Sequence, residues 1–69
     1  MKVSARNLLT GTIKSIKEGA VNNELVLEVA PGVEIVSIIT KSSCDRLGLK
    51  VGGKAYAMVK ASSVMIATD

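Results

Sequence analysis

The chain has no histidine, tryptophan or phenylalanine, and only one tyrosine, one cysteine and one proline among its 69 residues. Each scarcity removes a class of function. Without an imidazole, the His-activated Ser and Cys constellations familiar from hydrolases and acyl transferases are excluded. Cys44 cannot close a disulfide within the chain, and with no His it cannot build a structural zinc site. It reads as a small apolar core residue. The acids Glu18, Glu24, Glu28, Glu34, Asp45 and Asp69 are scattered, so no site for a bare metal cation is expected. Tyr56 alone makes no stacking platform for single-stranded nucleic acid. No apolar run approaches the roughly 20 residues a membrane helix needs. The N-terminus lacks the apolar stretch of a secretory signal. The expectation is a cytoplasmic protein with neither a membrane nor a nucleic acid as partner, and not an enzyme.

What the chain has is aliphatic side chains. Hydrophobic residues make up 48% of the sequence, almost none of them aromatic. Residues 1–69 suffice for one small domain. A core of that size comes out near break-even against chain entropy unless something completes it. With no disulfide and no metal available, contact with further copies of the chain can complete the core, so a homo-oligomer is expected, the alternative being a small monomeric barrel with a few exposed Val and Ile. Nine Lys and Arg against six Asp and Glu leave a net charge of +3, a mild excess that suits an anionic ligand.

Periodicity predicts strands over residues 8–17, 23–29, 33–40, 54–60 and 64–67. In the first, Leu9, Gly11 and Ile13 share a face and Ile16 falls out of phase, the mark of a bulge. Glu18-Gly19 reads as a turn. Leu25, Leu27 and Val29 alternate against Glu24, Val26 and Glu28, giving a half-exposed strand. Pro31 followed by Gly32 predicts a tight turn. The third strand is apolar on both faces, with Ile35 and Ile39 opposite Val36 and Ile38. No helix is long enough to cover its outer face, so a second subunit is expected there. A short helix spans 40–48, capped by Ser42 with Asp45 three residues on, carrying Cys44 and Leu47 on one face and ending at Gly48. The order β-β-β-α-β-β describes an all-β, small five-stranded Greek-key barrel of the oligonucleotide/oligosaccharide-binding (OB) type, with its helix between strands 3 and 4. A small SH3-like barrel is the alternative.

Three clusters of hydrogen-bond donors stand out: Ser4 and Arg6 before the first strand, Thr40, Ser42 and Ser43 at the helix start, and Lys60-Ala61-Ser62-Ser63 after the fourth strand. Taken singly they are an exposed Arg, a helix cap and a solvated turn. Together, if the fold gathers them, they suit an anion bearing several oxygens.

The residues that carry these clusters also carry a resemblance. Ser4-Ala5-Arg6-Asn7, then Gly11, then Ile39-Thr40 ahead of Leu47-Gly48-Leu49, then Lys60-Ala61-Ser62-Ser63-Val64-Met65-Ile66 resemble molbindin, the small molybdate- and tungstate-binding Mop domain. The likeness runs essentially the whole length of the chain. It implies an OB-type barrel assembled as a hexamer, a trimer of dimers, holding oxyanions between subunits. On that likeness Ser4, Ala5 and Arg6 come from one subunit, and Thr40, Lys41, Ser42, Ser43, Lys60 and Ala61 from its neighbour. Arg6 and Lys60 bring charge, while Ala5, Lys41 and Ala61 bring mainly backbone N–H groups. The bound ligand is molybdate or tungstate, with no other cofactor. Because no DNA-binding or ATPase domain is attached, the resemblance points to the free-standing storage or buffering form. The competing expectation is a generic OB-type module contacting protein or single-stranded nucleic acid.

Overall fold

The computed structural model describes all residues 1–69. Its elements are β1 (Asn7–Glu18), β2 (Asn22–Ala30), β3 (Val33–Thr40), α1 (Lys41–Arg46), β4 (Lys54–Val59) and a 3₁₀ turn over Ala61–Ser63. The four strands form one antiparallel sheet in the order β3-β2-β1-β4. Three consecutive strands with the fourth returning beside the first is the Greek-key order. The helix lies between β3 and β4, where the sequence predicts it.

The expected fifth strand is absent. Residues 64–69 have no regular structure, and the sheet curls into a half-barrel that stays open. Val64, Met65 and Ile66 favour a strand by composition, but a strand exists only where another edge takes its N–H and C=O groups. No strand of the chain does so here. Met65 and Ile66 are accordingly 93% and 89% exposed.

Curvature comes from irregularities in the ladders. Ile13 pairs with Leu27 and Ser15 with Val26, so Lys14 is the extra residue of a bulge. This is the phase break visible in the sequence before Ile16. A second irregularity falls between Glu28 and Ala30, just before the turn. There Pro31 presets φ and Gly32 takes a φ of +74° that other residues resist.

The helix differs in detail from its sequence reading. It starts at Lys41, and its cap is Thr40, whose Oγ1 accepts from the Ser43 N–H at 3.1 Å. Ser42 is instead inside the first turn. Thr40 wins because it ends β3 in the extended conformation a cap requires, with φ −67° and ψ 150°. At the other end Gly48, φ +65°, donates to Asp45 O and Leu49 donates to Cys44 O. This pair of bonds is a Schellman closure. It folds Leu49 back against the core and leaves Leu47 62% exposed, not packed beside Cys44.

The core is small: Ile13, Leu25 and Leu27 are fully buried, with Ile16, Val29, Ile39, Leu49, Ala55 and Ala57 packed around them. Asn23 is the one buried polar side chain; its Oδ1 accepts from the Gly19 N–H at the β1–β2 turn. The outer face of β3 is bare, with Val36 58% and Ile38 68% exposed.

Candidate functional site

The register of β1 and β4 decides where the N- and C-terminal donor clusters lie. Their ladder closes on the pair Asn7↔Val59. Arg6 and Lys60 are each one residue beyond that pair, so they leave the sheet at the same end. Ser4 and Ala5 precede Arg6, and Ala61 opens the turn after Lys60. Ser63 N–H bonds back to Lys60 O at 2.8 Å and Val64 N–H to Ala61 O at 3.3 Å, which shapes that turn. The N–H groups of Ala5, Arg6 and Ala61 find no backbone acceptor in the chain. Arg6, Asn7, Leu8, Leu9, Val59 and Val64 line an open depression of about 540 Å³. This end therefore gathers two cations and several free donors from two distant parts of the sequence.

The helix-start cluster attaches elsewhere. Thr40 pairs with Asn22, and its neighbour Asn23 pairs with Glu18 at the far end of β1. Here three hydroxyls touch: Thr40 Oγ1 donates to Ser43 Oγ at 2.8 Å and lies 3.4 Å from Ser42 Oγ. The Lys41 N–H donates to Val21 O at 2.8 Å, tying the helix to the β1–β2 loop. Lys41 therefore has its ammonium, not its N–H, to offer a ligand. That ammonium stands 3.9 Å from Glu18 in an exposed ion pair, a weak interaction in water. Ser43 N–H is taken by the cap. Of the first-turn donors, Ser42 N–H is the one that neither cap nor loop satisfies.

No side-chain hydrogen bond or salt bridge joins the Arg6–Lys60 end to the Thr40–Ser43 end within the chain. The structure brings together Ser4, Ala5, Arg6, Lys60 and Ala61 on one side, and Thr40, Lys41, Ser42 and Ser43 on the other.

Charge is divided in the same way. From residue 1 to 17 and from 46 to 68 there is no acid, whereas residues 19–40 hold Glu24, Glu28 and Glu34 and no Lys or Arg. The β1–β4 half of the sheet is thus basic and the β2–β3 half acidic. An anion is drawn to the first half by the summed field as well as by the local donors. A signal for this lay open in the sequence, in the spacing of the acids.

Comparison with known proteins identifies the family and the fold. Residues 3–66 match the model of the TOBE domain. Molybdenum-pterin-binding protein 2 of Clostridium pasteurianum is 47% identical over 66 residues, covering 96% of this chain and 97% of that protein. A molybdate-binding protein from Sporomusa ovata has a solved structure that superposes with a TM-score of 0.91 at 38% identity, covering 99% of this chain and 100% of that one. ModG, described as a cytoplasmic molybdate-binding protein and solved with molybdate bound, superposes with a TM-score of 0.89 at 51% identity over 94% of this chain. The match covers 46% of ModG, so the chain spans about half of that protein. With the domain match over residues 3–66 and the full-length relatives in agreement, the chain belongs to the molbindin (Mop) family of TOBE domains.

Proposed function

We propose that this chain is a non-enzymatic binder of molybdate or tungstate, holding the oxyanion between subunits of a homo-oligomer, and that it stores or buffers the anion in the cytoplasm. The observation that carries this reading is the 51% identity and TM-score of 0.89 to a protein solved with molybdate bound. In the proposed site, grouped as the resemblance implies, Ser4, Ala5 and Arg6 of one subunit face Thr40, Lys41, Ser42, Ser43, Lys60 and Ala61 of another, although within one chain Lys60 and Ala61 leave the sheet beside Arg6 and not beside Thr40. A tetrahedral dianion loses a large hydration energy on burial, and only charge and multiple donors offset it. Arg6 and Lys60 supply charge, the hydroxyls and the N–H groups of Ala5, Ser42 and Ala61 supply direction, and nothing in the set needs to gain or lose a proton. Some relatives carry a pterin in their names. The only ring here, Tyr56, has Lys54 Nζ 5.1 Å from its centroid and no second ring beside it, so the inorganic anion is the better ligand.

Assembly into a hexamer, a trimer of dimers, is part of the proposal. The two donor ends are unconnected within one chain, and a neighbouring copy can join them. The uncovered Val36 and Ile38, the unpaired apolar segment at residues 64–66 and the opposite charges of the two sheet halves all favour contact with another copy. Shared sites make ligand binding and assembly thermodynamically linked.

Thermal unfolding with and without ligand tests the reading. A ligand bound only by the native state adds about 2.7 kcal/mol at a free concentration of a hundred times Kd. For a chain of this size that corresponds to a rise in Tm on the order of ten degrees. Molybdate and tungstate should each produce it and matched chloride should not. Light scattering on a sizing column should report six chains. An unchanged Tm at millimolar molybdate contradicts the proposal and leaves the generic interaction module as the better account.

A further inference from the structure

Asn7 belongs to the Ser4–Asn7 stretch, yet it has no part in the donor set above. Its side chain is nonetheless engaged: Nδ2 donates to the carbonyl oxygen of Val59 at 3.2 Å, across 52 residues of sequence. Asn7 and Val59 are the last pair of the β1–β4 ladder. Beyond them the chain leads to Arg6 on one side and Lys60 on the other, two like charges that repel at the point where backbone pairing ends. Ladder ends open more readily than their middles. A side-chain bond across the final pair resists that opening at the place where it would let the Arg6 segment leave the sheet. Asn7 also lines the same depression as Arg6, Val59 and Val64.

We infer that Asn7 is a positioning residue of the oxyanion site, which ties the Arg6-bearing segment to the end of β4 by bonding to Val59 O. This rests on the reading of Arg6 and Lys60 as anion-binding groups. The residue type fits the task. The bond to Val59 O needs a donor, which an aspartate cannot supply, and an aspartate would also set a carboxylate beside the anion. A serine can donate to the same oxygen with a shorter reach.

Titration calorimetry of molybdate into the wild type, Asn7→Ala, Asn7→Ser and Arg6→Ala tests the role, with ligand-free melting and sizing run on each. Loss of one exposed neutral hydrogen bond predicts a three- to tenfold weaker affinity in Asn7→Ala. Ligand-free Tm and oligomer size should stay at wild-type values, and Asn7→Ser should recover part of the loss. Wild-type affinity in Asn7→Ala beside lost affinity in Arg6→Ala overturns the role of Asn7 and leaves the site standing. Wild-type affinity in both overturns the site itself. Affinity and ligand-free Tm falling together in Asn7→Ala and Asn7→Ser makes the bond merely structural, which also overturns the inference.

Discussion

Arg6→Ala is expected to lower molybdate affinity ten- to a hundredfold while the ligand-free oligomer keeps its size. A charge-assisted hydrogen bond contributes about 1.5–3 kcal/mol, and that range sets the expected factor. Arg6 is exposed and makes no salt bridge within the chain, so its removal leaves no buried partner stranded and has little cost for folding. Arg6→Lys separates two contributions. It keeps the positive charge but loses the planar fork that can give two parallel N–H groups to one oxyanion. Partial recovery in Arg6→Lys assigns part of the effect to field and part to geometry. Titration calorimetry with sizing alongside reads both. Dissociation of Arg6→Ala without ligand would instead make Arg6 an assembly residue.

Ile13→Ala carries the largest expected effect on stability. Ile13 is 1% exposed and stands at the centre of a cluster with Leu25 and Leu27. Truncation of such a side chain costs about 2–5 kcal/mol, through lost transfer energy and the cavity left behind. A domain of this length has about 3–10 kcal/mol in total, by the usual 0.05–0.15 kcal/mol per residue. The variant should therefore lose about half of its stability, as urea titration followed by circular dichroism would show. Ile38→Ala is the informative companion. Ile38 is 68% exposed in the single chain, which predicts almost no loss. A loss of 1 kcal/mol or more at Ile38 is the result expected if another copy covers the outer face of β3. Near-neutral behaviour at both positions would place the core elsewhere.

Much of the fold was legible because its signals are local. The phase break before Ile16 marked the bulge at Lys14, Pro31-Gly32 marked the β2–β3 turn, and Gly48 marked the helix end. The helix between the third and fourth strands was legible too, whereas the strand count of five is one too many. What failed was non-local or depended on choosing between chemically similar residues. Residues 64–66 have the composition of a strand, but composition does not provide the edge that would pair with them. Thr40 and Ser42 can both cap a helix. The extended conformation inherited from β3 selects Thr40, and that is a property of the preceding strand. The capture of the Lys41 N–H by Val21 O joins a loop to a helix across the chain from residue 21 to residue 41, a reach at which no periodicity helps. The candidate site was legible as three separate donor clusters. That two of them share one end of the β1–β4 ladder is a fact of register, set by the pair Asn7↔Val59. The task of Asn7 has no local signal in the sequence, because its bond partner is 52 residues away.

A mixing experiment shows whether one oxyanion site takes donors from two chains. One parent is Arg6→Ala and the other is Ser42→Ala/Ser43→Ala, each alone weak for molybdate. Unfolding the two together and refolding them gives mixed oligomers. If each site joins the Arg6 segment of one chain to the Thr40–Ser43 segment of another, some interfaces in the mixture pair two intact segments. Calorimetry on the mixture should then reveal a fraction of sites with wild-type affinity that neither parent has. If the mixture binds only as weakly as its two parents, every site lies within a single chain, and the shared-site account is wrong.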